Sequence, residues 1–341
     1  MHFERAIGQE QAVKYLKEAI ARQRLAPAYL FAGPDGVGKS IAVKCFIEAM
    51  FCDRAPSSEH TKIQKLVRDG NHPDVLWVEP TYQHQGQLLS AQAAAAAGLK
   101  RKAPPQIRIE QVREIASFIS RSPLKAPRHV VVIEQAPKMA EAAANSLLKT
   151  LEEPGSATII LLASSDLLPT IRSRCARIPF YRLPKAQMSQ ILRQLGYEEI
   201  LQQDQIMAMA QGSPGEAIAC FAQLQAIPAE LLSRLRHLPV SRGSATCAAR
   251  HIAQRGGSHA QRHRTTHETA PNTLRDALEL AKEINQNLDT EAQLWLVDYL
   301  QHSYWQQDCR TVLQQLETAR KYLLSYAQSR LVWEVTLLAM C

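Results

Sequence analysis

A glycine-rich loop is the feature that most constrains this chain. Residues 33–40 read Gly-Pro-Asp-Gly-Val-Gly-Lys-Ser, a full match to the phosphate-binding pattern G-x-x-x-x-G-K-[ST]. An apolar run of strand length, 28–32, precedes the loop, and the stretch 41–50 after it can continue as a helix. In this order, backbone N–H groups and the helix N-terminus can surround a phosphate. The sequence therefore predicts a site for a nucleoside triphosphate.

The loop residues take separate roles in such a site. Gly33, Gly36 and Gly38 would let the backbone approach the phosphates closely. Lys39 would reach the β- and γ-phosphates, and the Ser40 hydroxyl would bind Mg²⁺. The alternative is a glycine-rich turn that only precedes a core helix.

Three further segments read as strands. Residues 74–79, 128–134 and 158–165 are apolar runs separated by helical stretches. Continuous apolar strands of this kind are typical of an α/β fold in which helices cover both faces of a parallel sheet. The second run ends in Glu134, which is the Walker B layout and would place this carboxylate near Mg²⁺. The alternative for Glu134 is a solvated acid at a strand end.

Composition limits the other classes of protein. The 341 residues suggest two or three domains, and no apolar run approaches the ~20 residues of a membrane span. The N-terminus lacks an apolar signal core, and the seven cysteines form no C-x-x-C pair, so we expect a cytoplasmic protein without a disulfide framework. The formal charge is +8, but five arginines and no acid lie in residues 241–267, so bulk charge is a weak argument for nucleic-acid binding.

Several motifs together resemble a known family. Residues 145–154 read Asn-Ser-Leu-Leu-Lys-Thr-Leu-Glu-Glu-Pro, similar to the N-x-L-L-K-x-L-E-E-P helix of bacterial clamp loaders, and residues 171–175 contain their Ser-Arg-Cys motif. The segments 7–9 and 72–74 are similar to the same proteins, and the order of motifs is kept over residues 3–216. The chain resembles the delta-prime subunits of the bacterial DNA polymerase III clamp loader, which are AAA+ proteins.

The resemblance implies a three-domain architecture. Residues 1–183 would form an α/β P-loop AAA+ nucleotide-binding domain, and residues 184–226 a small helical lid. Residues 227–341 would form an all-α collar through which clamp-loader subunits oligomerise. The collar shows helical spacing of apolar residues, and we expect its aromatic residues to serve the core and interfaces rather than base stacking.

The resemblance also implies roles for single residues. Arg174 matches the arginine finger, which would act in trans on ATP held by a neighbouring subunit. Ser165 lies where the sensor 1 polar residue is found, and Gln9 lies in the part that covers the adenine. Without the family, Arg174 and its neighbouring arginines would read as an ordinary basic patch.

Three departures separate the chain from the motor subunit of the family. Gly215 stands where the motor has the sensor 2 arginine of its lid, and Gln135 replaces a second acid after Glu134. An amide is a much poorer proton acceptor than a carboxylate. Of the four cysteines of the family's zinc module only Cys52 is present, so no zinc site is expected. These departures predict that ATP and Mg²⁺ bind but that hydrolysis is weak or absent.

Two functions of different classes follow. The first is an interaction subunit of the clamp loader that supplies Arg174 to a motor subunit of the tau/gamma type, contacts the delta-type subunit, and helps to load the sliding clamp on primed DNA. The alternative is an ATP-hydrolysing AAA+ motor subunit or an independent AAA+ remodeller. Gly215, Gln135 and the missing zinc cysteines favour the first.

One segment does not fit the helical pattern of the collar. Residues 241–272 have little apolar periodicity, and we predict that they are flexible and that residues 241–270 can be deleted without loss of assembly. The segment is either a basic arm that contacts DNA or the product of a reading-frame error or late insertion. His259, His263 and His267 are spaced by four residues but lack a second ligand type for a metal site.

Overall fold

The structure is a computed structural model of the 341-residue chain. It describes residues 2–84, 86–90, 93–94, 104–236, 273–305, 307, 309–325 and 327–340. The chain divides into two compact units: Met1–Gln202 with Ala210–Ile218, and Gln203–Met209 with Ala219–Cys341. The predicted basic segment 241–272 lies outside the described residues, as do residues 91–92 and 95–103 between the predicted strands at 74–79 and 128–134.

The first unit is built on a five-stranded parallel sheet with the order β2-β5-β6-β1-β7. Its strands are β1 (Ala28–Ala32), β2 (Val75–Val78), β5 (Val130–Ile133), β6 (Thr158–Ala163) and β7 (Ala176–Pro179). A separate antiparallel hairpin consists of β3 (Tyr82–His84) and β4 (Gln87–Leu89). The parallel α/β sheet predicted from the apolar runs is confirmed; β1 matches its run, and β2, β5 and β6 are shorter than theirs.

Helices cover both faces of this sheet. They are α1 (Glu10–Ala21), α2 (Lys39–Cys52), α3 (His60–Arg68), α4 (Ile109–Ile119), α5 (Glu141–Glu152) and α6 (Pro169–Arg172), and α7 (Lys185–Gln194) follows the last strand in the same unit. Alternate side chains of each strand enter different cores, as the pleat requires. Val130, Val132 and Ile160 pack with α1 and α2, whereas Val131, Ile133 and Ile159 pack with α4 and α5.

A buried carboxylate fixes the loop that leads into β5. The side chain of Asp74 accepts hydrogen bonds from the backbone N–H groups of Leu124 (2.6 Å), Lys125 (2.7 Å) and Ala126 (2.7 Å). Burial by itself would raise the pKa of Asp74, but the three donors outweigh burial and hold this pKa below its ordinary value. The carboxylate therefore stabilises the folded loop in its charged form.

We expect Asp74→Asn to lower the free energy of unfolding by about 2–4 kcal/mol at neutral pH, because a neutral amide cannot accept all three bonds as strongly. A carboxyl with a depressed folded pKa stabilises fully above its unfolded pKa of about 3.9, and the effect is lost as the pH falls through the folded value. Denaturant unfolding from pH 7 to pH 3 should therefore show the wild-type and variant stabilities converging. Asp69→Asn, at an exposed carboxylate, is the control and should change stability little at any pH.

A second buried carboxylate joins three parts of the first unit. Glu48 of α2 is fully buried and forms ion pairs with Arg5 near the N-terminus and with Nε of Arg68 of α3, the latter at 3.2 Å. One oxygen of this carboxylate, Oε2, has no hydrogen-bond partner among the described residues. Removing either arginine would leave a buried charge less compensated, so both arginines hold α2 in place.

The second unit has a helical core of its own. It contains parts of α8 (Asp204–Ala210) and α9 (Pro214–Ala226), together with α10 (Ala229–Arg236), α11 (Thr273–Asn287), α12 (Thr290–Trp305), α13 (Arg310–Leu324) and α14 (Ser329–Met340). Trp333 is fully buried and donates a hydrogen bond from Nε1 to Oε1 of Gln293 at 3.0 Å. Tyr299 and Tyr304 also lie in this core, whereas Trp305 is 74% exposed. No helix within the described ranges is long and apolar enough to cross a membrane.

Candidate nucleotide-binding site

The phosphate-binding loop has the local structure that its glycines predict. It leaves the carboxyl end of β1 and enters α2, whose N-cap is Gly38. Gly36 and Gly38 adopt positive φ angles of 71° and 99°, a region that residues with a Cβ rarely adopt. At Gly33 a Cβ would lie 2.3 Å from the carbonyl oxygen of Phe180, so the backbones approach too closely for any side chain. All three predicted glycines therefore have a structural reason to be glycine.

Lys39 points back into its own loop. Its Nζ donates to the carbonyl oxygens of Gly33 and Pro34, both at 2.6 Å, and lies 3.4 Å from Oδ1 of Asp35. Burial lowers the pKa of Lys39, and the charges of Asp35 and Glu134 oppose this shift. The ammonium group is thus held against the loop. There it can exchange its hydrogen bonds to these carbonyls for hydrogen bonds to phosphate oxygens.

Ser40 and Glu134 meet at the start of α2. Glu134 directly follows β5, and the Ser40 hydroxyl lies close enough to its carboxylate to influence its pKa. Burial raises the pKa of Glu134, while the Ser40 hydroxyl and the charges of Lys44 and Lys39 lower it. A hydroxyl and a carboxylate oxygen side by side are the hard ligands that Mg²⁺ accepts, so these two residues fit the ion.

Ser165 lies at the same edge of the sheet as the phosphate-binding loop. It follows β6, which is hydrogen-bonded to both β1 and β5 in the sheet. Together with Gly33 and Pro34 it lines an open cavity of about 800 Å³ at the carboxyl ends of β1, β6 and β7. Ligands of open parallel sheets bind at this edge. Ser165 is thus close to the start of the loop, and its role as sensor 1 stays a prediction.

Gln9 is used structurally. Its side-chain amide donates to the carbonyl oxygens of Tyr181 (2.8 Å) and Val37 (3.2 Å), and its Oε1 accepts from the Tyr181 N–H (3.1 Å). These bonds join the N-terminal segment to the phosphate-binding loop and to the chain after β7. With its side chain committed to backbone groups, Gln9 can shape an adenine pocket but has little capacity left to bind the base.

Arg174 is hydrogen-bonded to Glu152 and not to the phosphate-binding loop. Its Nε and Nη2 donate to Oε1 of Glu152 at 3.0 and 2.5 Å, and its Nη1 donates to the Thr170 carbonyl at 2.8 Å. The side chain of Arg174 remains 35% exposed. The structure therefore brings together the loop, Ser40 and Glu134, whereas Arg174 is partly exposed and hydrogen-bonded to other residues.

The start of α9 packs directly on the phosphate-binding loop, within the first unit. The Ser213 hydroxyl donates to the Asp35 carbonyl at 2.7 Å, and the Gly215 N–H donates to the Gly36 carbonyl at 2.9 Å. A Cβ at Gly215 would lie 2.6 Å from the Cα of Gly36. This contact is therefore possible only with glycine at position 215, and the arginine of a motor subunit could not occupy it without displacing the helix.

Metal ligands do not gather elsewhere in the described part of the chain. Within it, no group of three or more His, Cys, Asp or Glu side chains is arranged to hold a metal ion. Cys52, at the position of the family's zinc module, is a buried free thiol at the end of α2. Burial raises the pKa of Cys52 and also that of Cys175, the latter to about 11, so both thiols stay neutral at physiological pH.

A phosphate-binding loop between β1 and α2, a half-buried acid at the end of β5 and helices on both sheet faces define a P-loop protein of the AAA+ class. The profile of the family described as DNA polymerase III, delta subunit matches residues 8–184. A second profile, the C-terminal domain of the cyanobacterial DNA polymerase III delta prime, matches residues 186–263 and 260–340. The chain belongs to the DNA polymerase III delta subunit family and is of the delta-prime type.

Named relatives agree with this family. DNA polymerase III subunit delta' of Pseudomonas aeruginosa is 33% identical over 201 residues, which is 57% of this chain and 55% of that protein. DNA polymerase III subunit tau of Bacillus subtilis is 28% identical over 241 residues, 67% of this chain and 39% of that protein. The chain thus spans about half the length, or less, of these relatives. A solved gamma subunit-related protein of Thermotoga maritima is 16% identical, with 96% of this chain and 97% of that chain covered and a TM-score of 0.44.

Proposed function

We propose that this chain is the delta-prime-like subunit of a DNA polymerase III clamp loader and that it places Arg174 on ATP held by a neighbouring motor subunit of the tau/gamma type. One observation carries the proposal. Arg174 is 35% exposed, and its side-chain hydrogen bonds within the described residues go to Glu152, Thr170 and Ser173 and to no residue of the chain's own phosphate-binding loop. An arginine so placed can serve a phosphate on another subunit, because exchange of one carboxylate for the γ-phosphate keeps its hydrogen bonds satisfied.

The partners follow from the family. A delta-prime-like subunit would contact motor subunits of the tau/gamma type and a delta-type subunit, and it would meet the sliding clamp and primed DNA through the complex. The chain would position the guanidinium of Arg174 at the neighbouring subunit's ATP and would not itself turn over ATP. The helical second unit, with its own core, is suited to holding the subunit in such an oligomer.

In its own site the chain would bind ATP with Mg²⁺. Backbone N–H groups of the loop and Lys39 would hold the phosphates, and Ser40 with Glu134 would hold the ion, which neutralises phosphate charge when bound. The site lacks two chemical groups that would promote hydrolysis of ATP. Gln135 cannot act as a strong proton acceptor, and Gly215 gives the lid no cation for the γ-phosphate.

We expect the purified chain to bind ATP·Mg²⁺ and to hydrolyse it at a rate barely above the uncatalysed background. Equilibrium binding of a fluorescent ATP analogue and phosphate release should be measured on the same sample. The reason is the intact loop beside Gln135 and Gly215. Turnover by the chain alone at ordinary AAA+ rates of about 1 s⁻¹ would instead favour the second candidate, an ATP-hydrolysing motor, which the complete phosphate-binding loop supports.

A further inference from the structure

A second concave site lies at the opposite edge of the sheet from the phosphate-binding loop. A groove of about 500 Å³ is formed where α2 ends, where α3 passes, and where the loop before β5 crosses. Because the 14-residue helix α2 begins at the phosphate-binding loop and ends at this groove, about 20 Å of helix separates the two sites. None of the residues assigned above to ATP, Mg²⁺ or the arginine finger lines it. We refer to it as the basic groove.

The charges of the basic groove are unbalanced. Three cationic side chains line it, Arg54, Lys62 and Lys125, against one acid, Glu59. Within the described residues, none of these three cations forms an ion pair, although eleven such pairs occur elsewhere in that part of the chain. His72, at the inner wall, adds no cation at neutral pH, because burial lowers its pKa. The groove therefore presents a positive rim that its single acid compensates only in part.

The floor of the basic groove is apolar. It includes Phe51, which is 2% exposed, and the half-buried side chains of Ile63 and Leu66 on α3. A cavity of this size with an apolar floor and a charged rim accepts one or two apolar side chains flanked by acids. Phosphate backbones need cations but gain little from an aliphatic floor, and the Phe51 ring is too buried to stack on a base.

One wall of the basic groove is fixed in advance. The three backbone hydrogen bonds to Asp74 hold Leu124, Lys125 and Ala126 in a single conformation. The same loop leaves the Leu124 side chain 79% exposed beside Lys125. A wall that is ordered before binding reduces the entropy lost on association.

We propose that the basic groove binds an acidic segment of a partner protein, with an apolar side chain of that segment on the floor and its carboxylates on Arg54, Lys62 and Lys125. The interaction does not depend on ATP or on Arg174. Electrostatic complementarity and a preformed apolar cleft together give such a contact its specificity. The groove would thus tether a second protein to the edge of the domain farthest from the nucleotide.

The test uses the full chain and a fluorescein-labelled peptide, (Glu-Asp)₂-Leu-Phe-(Asp-Glu)₂, followed by fluorescence anisotropy. The double variant Lys62→Glu/Lys125→Glu should weaken binding by at least about tenfold, because attraction becomes repulsion at two rim positions. The matched control, Lys14→Glu/Lys185→Glu, makes the same change of charge at two exposed lysines outside the groove and should change binding less than about twofold. Replacing Leu-Phe of the peptide by Ala-Ala should also weaken binding about tenfold.

Two further measurements decide the remaining outcomes. Lys62→Ala/Lys125→Ala should give an intermediate loss, and circular dichroism should show all variants folded, since both lysines are exposed. Equal losses in the groove and control variants would overturn the proposal, as would no saturable binding up to about 1 mM peptide. If a 20-nucleotide oligo(dT) displaced the peptide and lost affinity in the same variant, the groove would be a nucleic-acid site and the peptide assignment would be wrong.

Discussion

Replacing Arg174 with alanine should strongly reduce the DNA-stimulated ATPase activity of a clamp loader reconstituted with this chain, while assembly stays intact. An arginine finger is worth about 10³-fold or more in phosphoryl transfer at its own site, although a complex with several sites will show a smaller total loss. Folding should be unaffected, because the Arg174–Glu152 pair lies at the surface and such pairs contribute little. The measurements are steady-state phosphate release and clamp loading on primed DNA.

A neighbouring arginine provides the control for this experiment. Arg172 is 50% exposed, lies two residues away and pairs with Asp166 at 3.5 Å. Arg172→Ala removes the same charge from the same surface, so it should change ATPase activity little. Clamp loading that is unchanged by Arg174→Ala, or reduced equally by both variants, would remove Arg174 from its proposed role.

Replacing Lys39 with alanine should abolish ATP binding by the chain, with a loss of at least about 100-fold in affinity. The variant removes the ammonium that lies 2.6 Å from two loop carbonyls and that would exchange them for phosphate oxygens. Titration calorimetry with ATP·Mg²⁺ measures the effect. Lys14→Ala, at an exposed lysine of α1, is the control and should bind normally. Retention of full affinity by Lys39→Ala would show that the loop is not the nucleotide site.

The sequence predicts those parts of the fold that depend on short motifs and on runs of neighbouring residues. The loop at residues 33–40 has its pattern, its strand and its helix within 25 residues of chain, 28–52. The apolar runs ending near Glu134 and Ser165 predict parallel strands, because a strand that is apolar at every position must be buried on both faces of its sheet. Parallel sheets are covered by helices in this way. The Ser40–Glu134 contact follows from the phosphate-loop and Walker B patterns together.

The parts that could not be predicted depend on contacts between distant segments. The Gly215–Gly36 packing joins residues 179 positions apart. From the sequence, Gly215 indicates only that the sensor 2 arginine of the motor subunit is absent, and not that this position packs on the loop. The Glu152–Arg174 pair spans 22 positions and is formed because α5 and α6 are neighbours. Asp74 likewise reads as a strand residue, whereas the structure uses it to hold a loop 50 positions later. The boundaries of the lid and collar stay predictions.

The two ion-pair partners of the buried Glu48 carboxylate become available at different times during synthesis. They lie on either side of Glu48 in the chain, 43 residues before and 20 residues after. While the chain is being made, α2 can form, but its charge cannot be fully compensated until residue 68 has left the ribosome. The phosphate-binding loop at the start of α2 should therefore become competent only after α3 has docked, and a chain arrested before that point would hold the loop's sequence without its site.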